Sequence, residues 1–258
     1  MTTKTKVWNQ EIKNVVRKEL LKKRGKAFRT ALFMPAETAY CVEEAKNSGL
    51  IDSQTELILV DRDATTLSLG YCRCVDDLDH QENWIQLRRG KVEDVLRWLR
   101  PKDVAVTDGW CNYLEFLYLD TCGELSPIMV DSLKVAVKNK VITNKTTIAF
   151  TFTSSQRMWN VKNNNHTAPH FQNRDSSNLL NFSKKDKRNS ICQIISNTIR
   201  YAIGRPDAEI AFGCAYKERG GGFPMMTGII LGEEYAETKC DNPFADLGYN
   251  GNYSPLEP

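Results

Sequence analysis

Two aspartates directly follow short apolar segments of the chain, and both are candidates for chemistry. Asp61 follows ELILV, and Asp120 follows FLYL. In doubly wound sheets, ligands bind beyond the carboxyl ends of the strands, so residues at these ends can contact a ligand. A carboxylate there can accept hydrogen bonds from both hydroxyls of a ribose, and we expect this role for Asp61, with Arg62 beside it. An alternative is that Asp61 or Asp63 caps the following helix.

The segment Asp120-Thr121-Cys122-Gly123 is the candidate catalytic segment. A carboxylate at the end of a buried strand costs free energy unless it has a partner or a function. Gly123 allows a ligand to approach the backbone closely. Cys122 could be a nucleophile, but a nucleophilic thiol needs a base nearby. The chain has three histidines, and none is near this segment in sequence: His80, His166 and His170.

Two further segments are candidates for contacts with a nucleotide. Pro35-Ala36-Glu37-Thr38 follows the apolar segment RTALFM, and Lys91-Val92 follows Gly90 at the start of a predicted helix. The first segment either approaches a cofactor or is a plain connection from strand to helix. The second either lines an adenine pocket or is a helix start whose acidic residues favour the helix dipole. Because no glycine occurs between residues 35 and 48, the dinucleotide fingerprint is missing, and the chain also lacks the P-loop pattern.

Composition indicates an ordinary globular protein. The 258 residues suffice for one large domain or two small ones, with 41% hydrophobic and 26% charged residues. No apolar segment approaches the roughly 18 residues that span a bilayer. Since Met1–Trp8 is polar and basic, we expect no signal peptide, a cytoplasmic location and reduced cysteines. A zinc site on Cys72, Cys74 and His80 is a weak alternative, and we predict no metal.

Apolar segments and helical patterns alternate five times along the chain and predict βαβ units. The predicted strands are residues 29–34, 56–60, 84–87, 116–119 and 146–153, followed by a hairpin of 209–217 and 224–231. The predicted helices are residues 8–24, 38–48, 64–72, 92–99, 128–141 and 190–201. The fold class is therefore α/β: a doubly wound, Rossmann-like, mostly parallel sheet of seven strands with a C-terminal antiparallel hairpin.

Basic residues concentrate in two stretches, although the formal net charge is only +3. We predict a basic N-terminal helix (1–26), a main domain (27–240) with a polar, basic insert at 157–190, and an irregular tail (241–258). The basic helix and the insert favour a nucleic-acid partner, and solvated surfaces are the alternative. We expect no membrane association, and the sequence does not indicate an oligomeric state.

Over residues 27–235 the chain resembles the class I S-adenosylmethionine-dependent methyltransferases. The resemblance rests on the order of the elements, on the final hairpin and on four post-strand segments: Met34–Thr38, Asp61, Gly90–Val92 and Asp120–Gly123. It implies S-adenosylmethionine as cofactor, bound by Pro35–Thr38, Asp61, Arg62, Lys91 and Val92, and catalysis at Asp120–Gly123. The implied activity is methyl transfer, most readily to nucleic acid. The alternatives are a methyltransferase-like binding module without catalysis and a small-molecule methyltransferase.

Overall fold

The structure is a computed structural model that describes residues 17–18, 20–21, 27–105, 111–121, 123–153, 194–208, 210–217 and 224–234. The predicted insert at 157–190, the tail at 241–258, Cys122 and most of the predicted N-terminal helix lie outside the described residues.

Seven strands and five helices form the described part of the domain. The strands are β1 (Thr30–Phe33), β2 (Glu56–Asp61), β3 (Ile85–Arg89), β4 (Phe116–Asp120), β5 (Thr147–Thr153), β6 (Phe212–Lys217) and β7 (Pro224–Ile230). The helices are α1 (Tyr40–Asn47), α2 (Ala64–Cys72), α3 (Val92–Trp98), α4 (Pro127–Lys138) and α5, described over 194–202. In the N-terminal segment, residues 17, 18 and 20 are helical.

All seven strands belong to one sheet in the order β3-β2-β1-β4-β5-β7-β6. Strands β1 to β5 pair in parallel, whereas β7 runs antiparallel to both β5 and β6. The predicted fold class is therefore confirmed. The strand order reverses between β1 and β4, and the carboxyl ends of neighbouring strands diverge there to leave a crevice.

Both faces of the sheet are covered, which explains why the strands read as continuous apolar segments. One face packs against α3, α4 and α5 and includes Leu117 and Leu119 of β4. The other face packs against α1 and the N-terminal segment and includes Phe116 and Tyr118 of the same strand. Because successive side chains of a strand point to opposite faces, Asp120 lies on the face of Phe116 and Tyr118.

The strand positions agree with the apolar segments, and the differences are local. Strand β3 begins at Ile85 because Glu82–Trp84 forms a turn of 3-10 helix. Helix α2 continues beyond Cys72 as a π-helical turn at Arg73–Asp77. Strand β6 begins at Phe212 rather than at residue 209. Within the described residues, no helix is long and apolar enough to cross a membrane.

Candidate functional site

A cavity of about 470 Å³ opens at the carboxyl ends of the first four strands, where the strand order reverses. Its size falls within the range of small-molecule sites. Its walls come from the ends of β1 and β2, the start of α3 and the loop after β4. The lining residues are Met34, Val60, Asp61, Arg62, Gly90, Lys91, Val92, Glu93, Thr121, Gly123, Glu124 and Ser126. Six of the predicted site residues therefore line one cavity. They are Asp61, Arg62, Lys91 and Val92 of the predicted cofactor site, and Thr121 and Gly123 of the predicted catalytic segment.

Asp61 stands at the mouth of the cavity with part of its carboxylate already engaged. Its Oδ1 accepts a hydrogen bond from the backbone N–H of Asp63 at 2.9 Å. Asp63 in turn caps α2, because its Oδ1 accepts from the backbone N–H of Thr66 at 2.8 Å. The helix-capping alternative thus applies to Asp63, and this bond lowers the pKa of the Asp63 carboxyl. The bond from Asp63 therefore holds the Asp61 carboxylate in position at the cavity.

Gly90 and Val92 form the wall opposite the loop after β4. The backbone N–H of Gly90 donates to the carbonyl of Asp61 at 2.8 Å, which ties the start of α3 to the end of β2. Gly90 has a φ of +151°, a conformation that side chains with a Cβ rarely adopt. The apolar side chains of Val60 and Val92 are buried beside it. Together they give the cavity an apolar surface next to Asp61, as a flat aromatic ring requires.

The loop after β1 contains no glycine, yet two of its residues adopt a backbone conformation that is typical of glycine. Ala36 has a φ of +53° and Ala39 a φ of +46°, both in the left-handed region. This region costs a residue with a Cβ roughly 1–2 kcal/mol. A Cβ added to Gly70 of α2 would lie 2.8 Å from the carbonyl oxygen of Ala36, so Gly70 supplies the space that the loop needs. Among the described side chains of this loop, Met34 lines the cavity, whereas Pro35–Thr38 do not.

The loop after β4 contributes Thr121, Gly123 and Glu124 to the cavity. Gly123 is anchored, because its carbonyl accepts from the backbone N–H of Thr153 at 2.8 Å. Partial burial raises the pKa of the Glu124 carboxyl above its ordinary value. The cavity contains three carboxylates, on Asp61, Glu93 and Glu124, against two basic side chains, on Arg62 and Lys91. This excess of negative charge favours a ligand that carries a positive charge.

Asp120 is absent from the lining of this cavity. Its Oδ2 lies 2.6 Å from Nη2 of Arg17 in the N-terminal segment, and the two side chains are only 5% and 13% exposed. The Arg17 guanidinium also lies 5.8 Å from the centre of the Tyr40 ring. The buried hydroxyl of Tyr118 is close by, and burial raises the pKa of Tyr118 well above its ordinary value. Asp120 is therefore part of a buried ion pair.

The sequence did not indicate Arg17 or Glu124 as site residues. Arg17 was one of ten basic residues between positions 4 and 29, and its partner is 103 positions away. Glu124 does not directly follow the apolar segment FLYL, whereas Asp120 does. A signal was present: Glu124 follows Gly123 in a segment with no other acid before Pro127.

The thiols and histidines described in the structure do not form a catalytic or metal site. Cys41, Cys72, Cys74 and Cys111 are free, and burial raises the pKa of the Cys41 and Cys74 thiols to about 12. His80 is buried, with its Nε2 2.8 Å from the carbonyl oxygen of Thr55. Across the described ranges, no group of three His, Cys, Asp or Glu side chains is placed to hold a metal ion.

Comparison with known proteins gives resemblances in structure only. No protein-family model matches the sequence, and no curated protein sequence does. The O-methyltransferase TomG from Streptomyces achromogenes is 10% identical, with a TM-score of 0.48 over 86% of this chain and 80% of its own. An O-methyltransferase from Bacillus cereus is 9% identical, with a TM-score of 0.43 over 89% and 82%. A putative rRNA methylase from Clostridium thermocellum is 8% identical, with a TM-score of 0.41 over 89% and 97%.

The sequence identities and TM-scores are low, so the strand order of this chain, and not these similarities, identifies the fold. A sheet with five parallel strands, a reversal between β1 and β4 and a final antiparallel hairpin is the class I methyltransferase arrangement that the sequence predicted. The protein has a class I S-adenosylmethionine-dependent methyltransferase-like fold.

Proposed function

We propose that this protein is an S-adenosylmethionine-dependent methyltransferase that acts on nucleic acid. The observation that carries the proposal is the cavity at the reversal of the strand order, where Asp61, Val92, Thr121 and Glu124 meet. The surplus of carboxylates in this cavity suits a sulfonium cation, and the fold is one that binds this cofactor in the related family.

The residues around the cavity fit the separate parts of S-adenosylmethionine. Asp61 would accept hydrogen bonds from the ribose hydroxyls, since its backbone is fixed by Gly90 and its carboxylate by Asp63. Val60 and Val92 would pack against the adenine ring. Lys91 and Arg62 would be the cationic partners for the cofactor carboxylate.

When bound, the cofactor supplies a methyl group that is electrophilic because it is attached to a sulfonium. The contribution of this chain is to hold the attacking atom in line with that methyl group and to exclude water. Glu124 is the carboxylate of the loop after β4 that reaches the cavity, and its raised pKa makes it a better proton acceptor than an exposed glutamate. Asp120 would act through the backbone of this loop, which its ion pair with Arg17 holds in place.

Calorimetry with S-adenosylmethionine and with its demethylated product tests the cofactor site. We expect both to bind, and Asp61→Asn to weaken binding by about tenfold, since hydrogen bonds to a charged group contribute about 1.5–3 kcal/mol. Asp131→Asn is the matched control, because Asp131 is an acid exposed on α4. No heat from either ligand at a protein concentration of about 100 µM would contradict the proposal.

Methyl transfer is tested by capturing labelled product from DNA, RNA and small-molecule acceptors. We expect label in a nucleic acid, and Glu124→Gln to lower kcat about 10²-fold or more while the cofactor affinity stays within a few-fold. If label appears only in the small-molecule acceptors, the substrate is a small molecule and not a nucleic acid.

One observation supports a second function, a binding module without catalysis. The predicted catalytic carboxylate, Asp120, is buried in an ion pair and lies on the face of β4 away from the cavity. A module of this kind would bind nucleic acid with strong salt dependence and would bind no cofactor. Cofactor-dependent methyl transfer by the purified chain would exclude it.

A further inference from the structure

A second groove lies beside the cofactor cavity, on the edge strand of the sheet. It has a volume of about 590 Å³ and runs between β3 and α3, and Gly90 lines both it and the cavity. Its exposed apolar surface comes from Trp98 of α3, which is 76% exposed. An indole that is left this exposed gains little from the fold of the chain itself and is accessible to an external partner.

Trp98 stands on a rigid support. Leu96 and Leu99, on either side of it, are buried in the core. The Arg100 guanidinium closes the end of α3, because its Nη1 donates to the carbonyls of residues 97, 98 and 99 at 2.9, 3.0 and 2.8 Å. Asn139, the residue directly after α4, also donates to the carbonyls of residues 97 and 99. A ligand that stacks on this indole therefore meets a backbone that is already ordered, which lowers the entropic cost of binding.

The segment that carries the groove is basic, although the lining itself holds two arginines, Arg88 and Arg89, and two aspartates, Asp94 and Asp103. Residues 86–103 contain six basic residues against three acidic ones, an excess equal to the formal net charge of the whole chain. One of the acids, Asp103, is engaged, because its Oδ2 accepts from the backbone N–H of Arg100 at 2.8 Å. Arg88 and Arg89 both line the groove at this edge strand, and because successive side chains alternate, they flank the strand on its two faces. An aromatic surface among arginines matches a polyanion whose bases are free to stack.

We propose that this groove binds single-stranded nucleic acid, with a base stacked on Trp98 and the phosphate backbone along Arg88 and Arg89. The proposal rests on the nucleic-acid part of the proposed function and locates the strand on the protein. Because the groove shares Gly90 with the cavity, a strand held here runs past the mouth of the cofactor site. A flat aromatic support and a basic edge give affinity without selecting a sequence.

Binding of end-labelled oligo-dT and oligo-U of about 12 nucleotides, the size of one such site, tests the proposal by fluorescence anisotropy. We expect Trp98→Ala to weaken binding of at least one of the two by roughly tenfold, since one base stacked on an aromatic ring contributes about 1–3 kcal/mol. We expect Arg89→Ala to weaken binding and to reduce the slope of log K against log salt by about one. Tyr201→Ala is the matched control, because Tyr201 is an aromatic on α5 that is 71% exposed.

The proposal is overturned if neither oligonucleotide binds, if Trp98→Ala binds as tightly as the unchanged protein, or if Tyr201→Ala loses as much affinity. Thermal unfolding of Trp98→Ala shows whether the variant is folded, and Trp98→Phe, which keeps an aromatic ring, should restore most of the affinity. Calorimetry with S-adenosylmethionine on the same variants is a separate readout. If only the groove proposal is tested by these substitutions, the variants still bind S-adenosylmethionine. If the methyltransferase proposal is wrong, neither the unchanged protein nor any variant binds it.

Discussion

Arg17 and Asp120 form an ion pair that holds the N-terminal segment against the end of β4. The pair is buried, so removal of either side chain leaves the other charge in an apolar environment without this ion pair. We expect Arg17→Met or Asp120→Leu alone to lower the free energy of unfolding by about 3–5 kcal/mol, because each breaks a buried ion pair from one side. The double variant should lose less than the sum of the two, and urea denaturation of all four proteins measures the difference.

Additive losses would contradict this interpretation of the pair. They would mean that each side chain contributes through separate contacts. Lys18→Ala serves as the control, because Lys18 neighbours Arg17 in the chain but is exposed.

His80 makes the stability of the fold depend on pH. Its Nε2 bonds to the carbonyl of Thr55, so Nε2 carries the proton, and the buried Nδ1 has no partner within the described residues. Burial lowers the pKa of His80 below its ordinary value of 6.5, and the nearby Lys46 lowers this pKa further. The unfolded chain therefore takes up a proton near pH 6.5 that the folded chain does not.

The direction in which the free energy of unfolding changes with pH follows from this difference in bound protons. The contribution of His80 is fully present above pH 6.5 and is lost as the pH falls from there towards the lowered pKa of the folded state. We expect the free energy of unfolding, measured in urea between pH 7.5 and 5.5, to fall more steeply for the unchanged protein than for His80→Gln. Glutamine can keep the bond to Thr55 without titrating, and equal slopes would contradict the expectation.

At the scale of elements, helix α2 and the loop after β1 fit together through Gly70. Helix propensity alone favours alanine over glycine within a helix by about 1 kcal/mol. A Cβ at this position would, however, lie 2.8 Å from the carbonyl oxygen of Ala36 and 3.1 Å from Cγ of Pro35. We therefore expect Gly70→Ala to destabilise the protein by about 1–3 kcal/mol, as overpacking does.

Thermal and urea unfolding check this expectation, and Ser68→Ala on the exposed side of the same helix is the control. Ser68→Ala should be neutral or slightly stabilising, because alanine is the better helix former. A stabilised Gly70→Ala would show that the loop after β1 moves freely and is not fixed by α2.

The sequence predicted β1, β2, β4 and β5 well because these strands are buried on both faces. Segments such as the one that became β2 therefore stand out as unbroken apolar runs. It could not choose between Asp61 and Asp63 as the helix cap, since both directly follow the strand and differ only in backbone geometry. The left-handed conformation of Ala36 could not be predicted from its own segment, because the glycine that makes room for it, Gly70, lies in another element. The partner of Asp120 is 103 residues away, a distance at which residue spacing carries no information.

At the scale of the whole molecule, the N-terminal segment and the main domain share one core. Leu20 and Leu21 are fully buried, in the same cluster as Phe28, Phe33 and Phe116. A basic segment that projects from the protein would leave its apolar side chains exposed, but these two lie against the sheet. Part of the segment that suggested a nucleic-acid contact is therefore bound to the domain itself.

Removal of residues 1–26 should consequently weaken the whole fold. Loss of two buried leucines costs about 2–5 kcal/mol each, and loss of the partner of Asp120 costs several more. This sum approaches the 5–15 kcal/mol by which a domain is stable. We expect the shortened chain to lose its cooperative unfolding transition, or to unfold at a much lower urea concentration, as followed by near-UV circular dichroism. Leu20→Ala in the full chain should show a partial loss, whereas an unchanged midpoint in the shortened chain would mean that the main domain is stable without this segment.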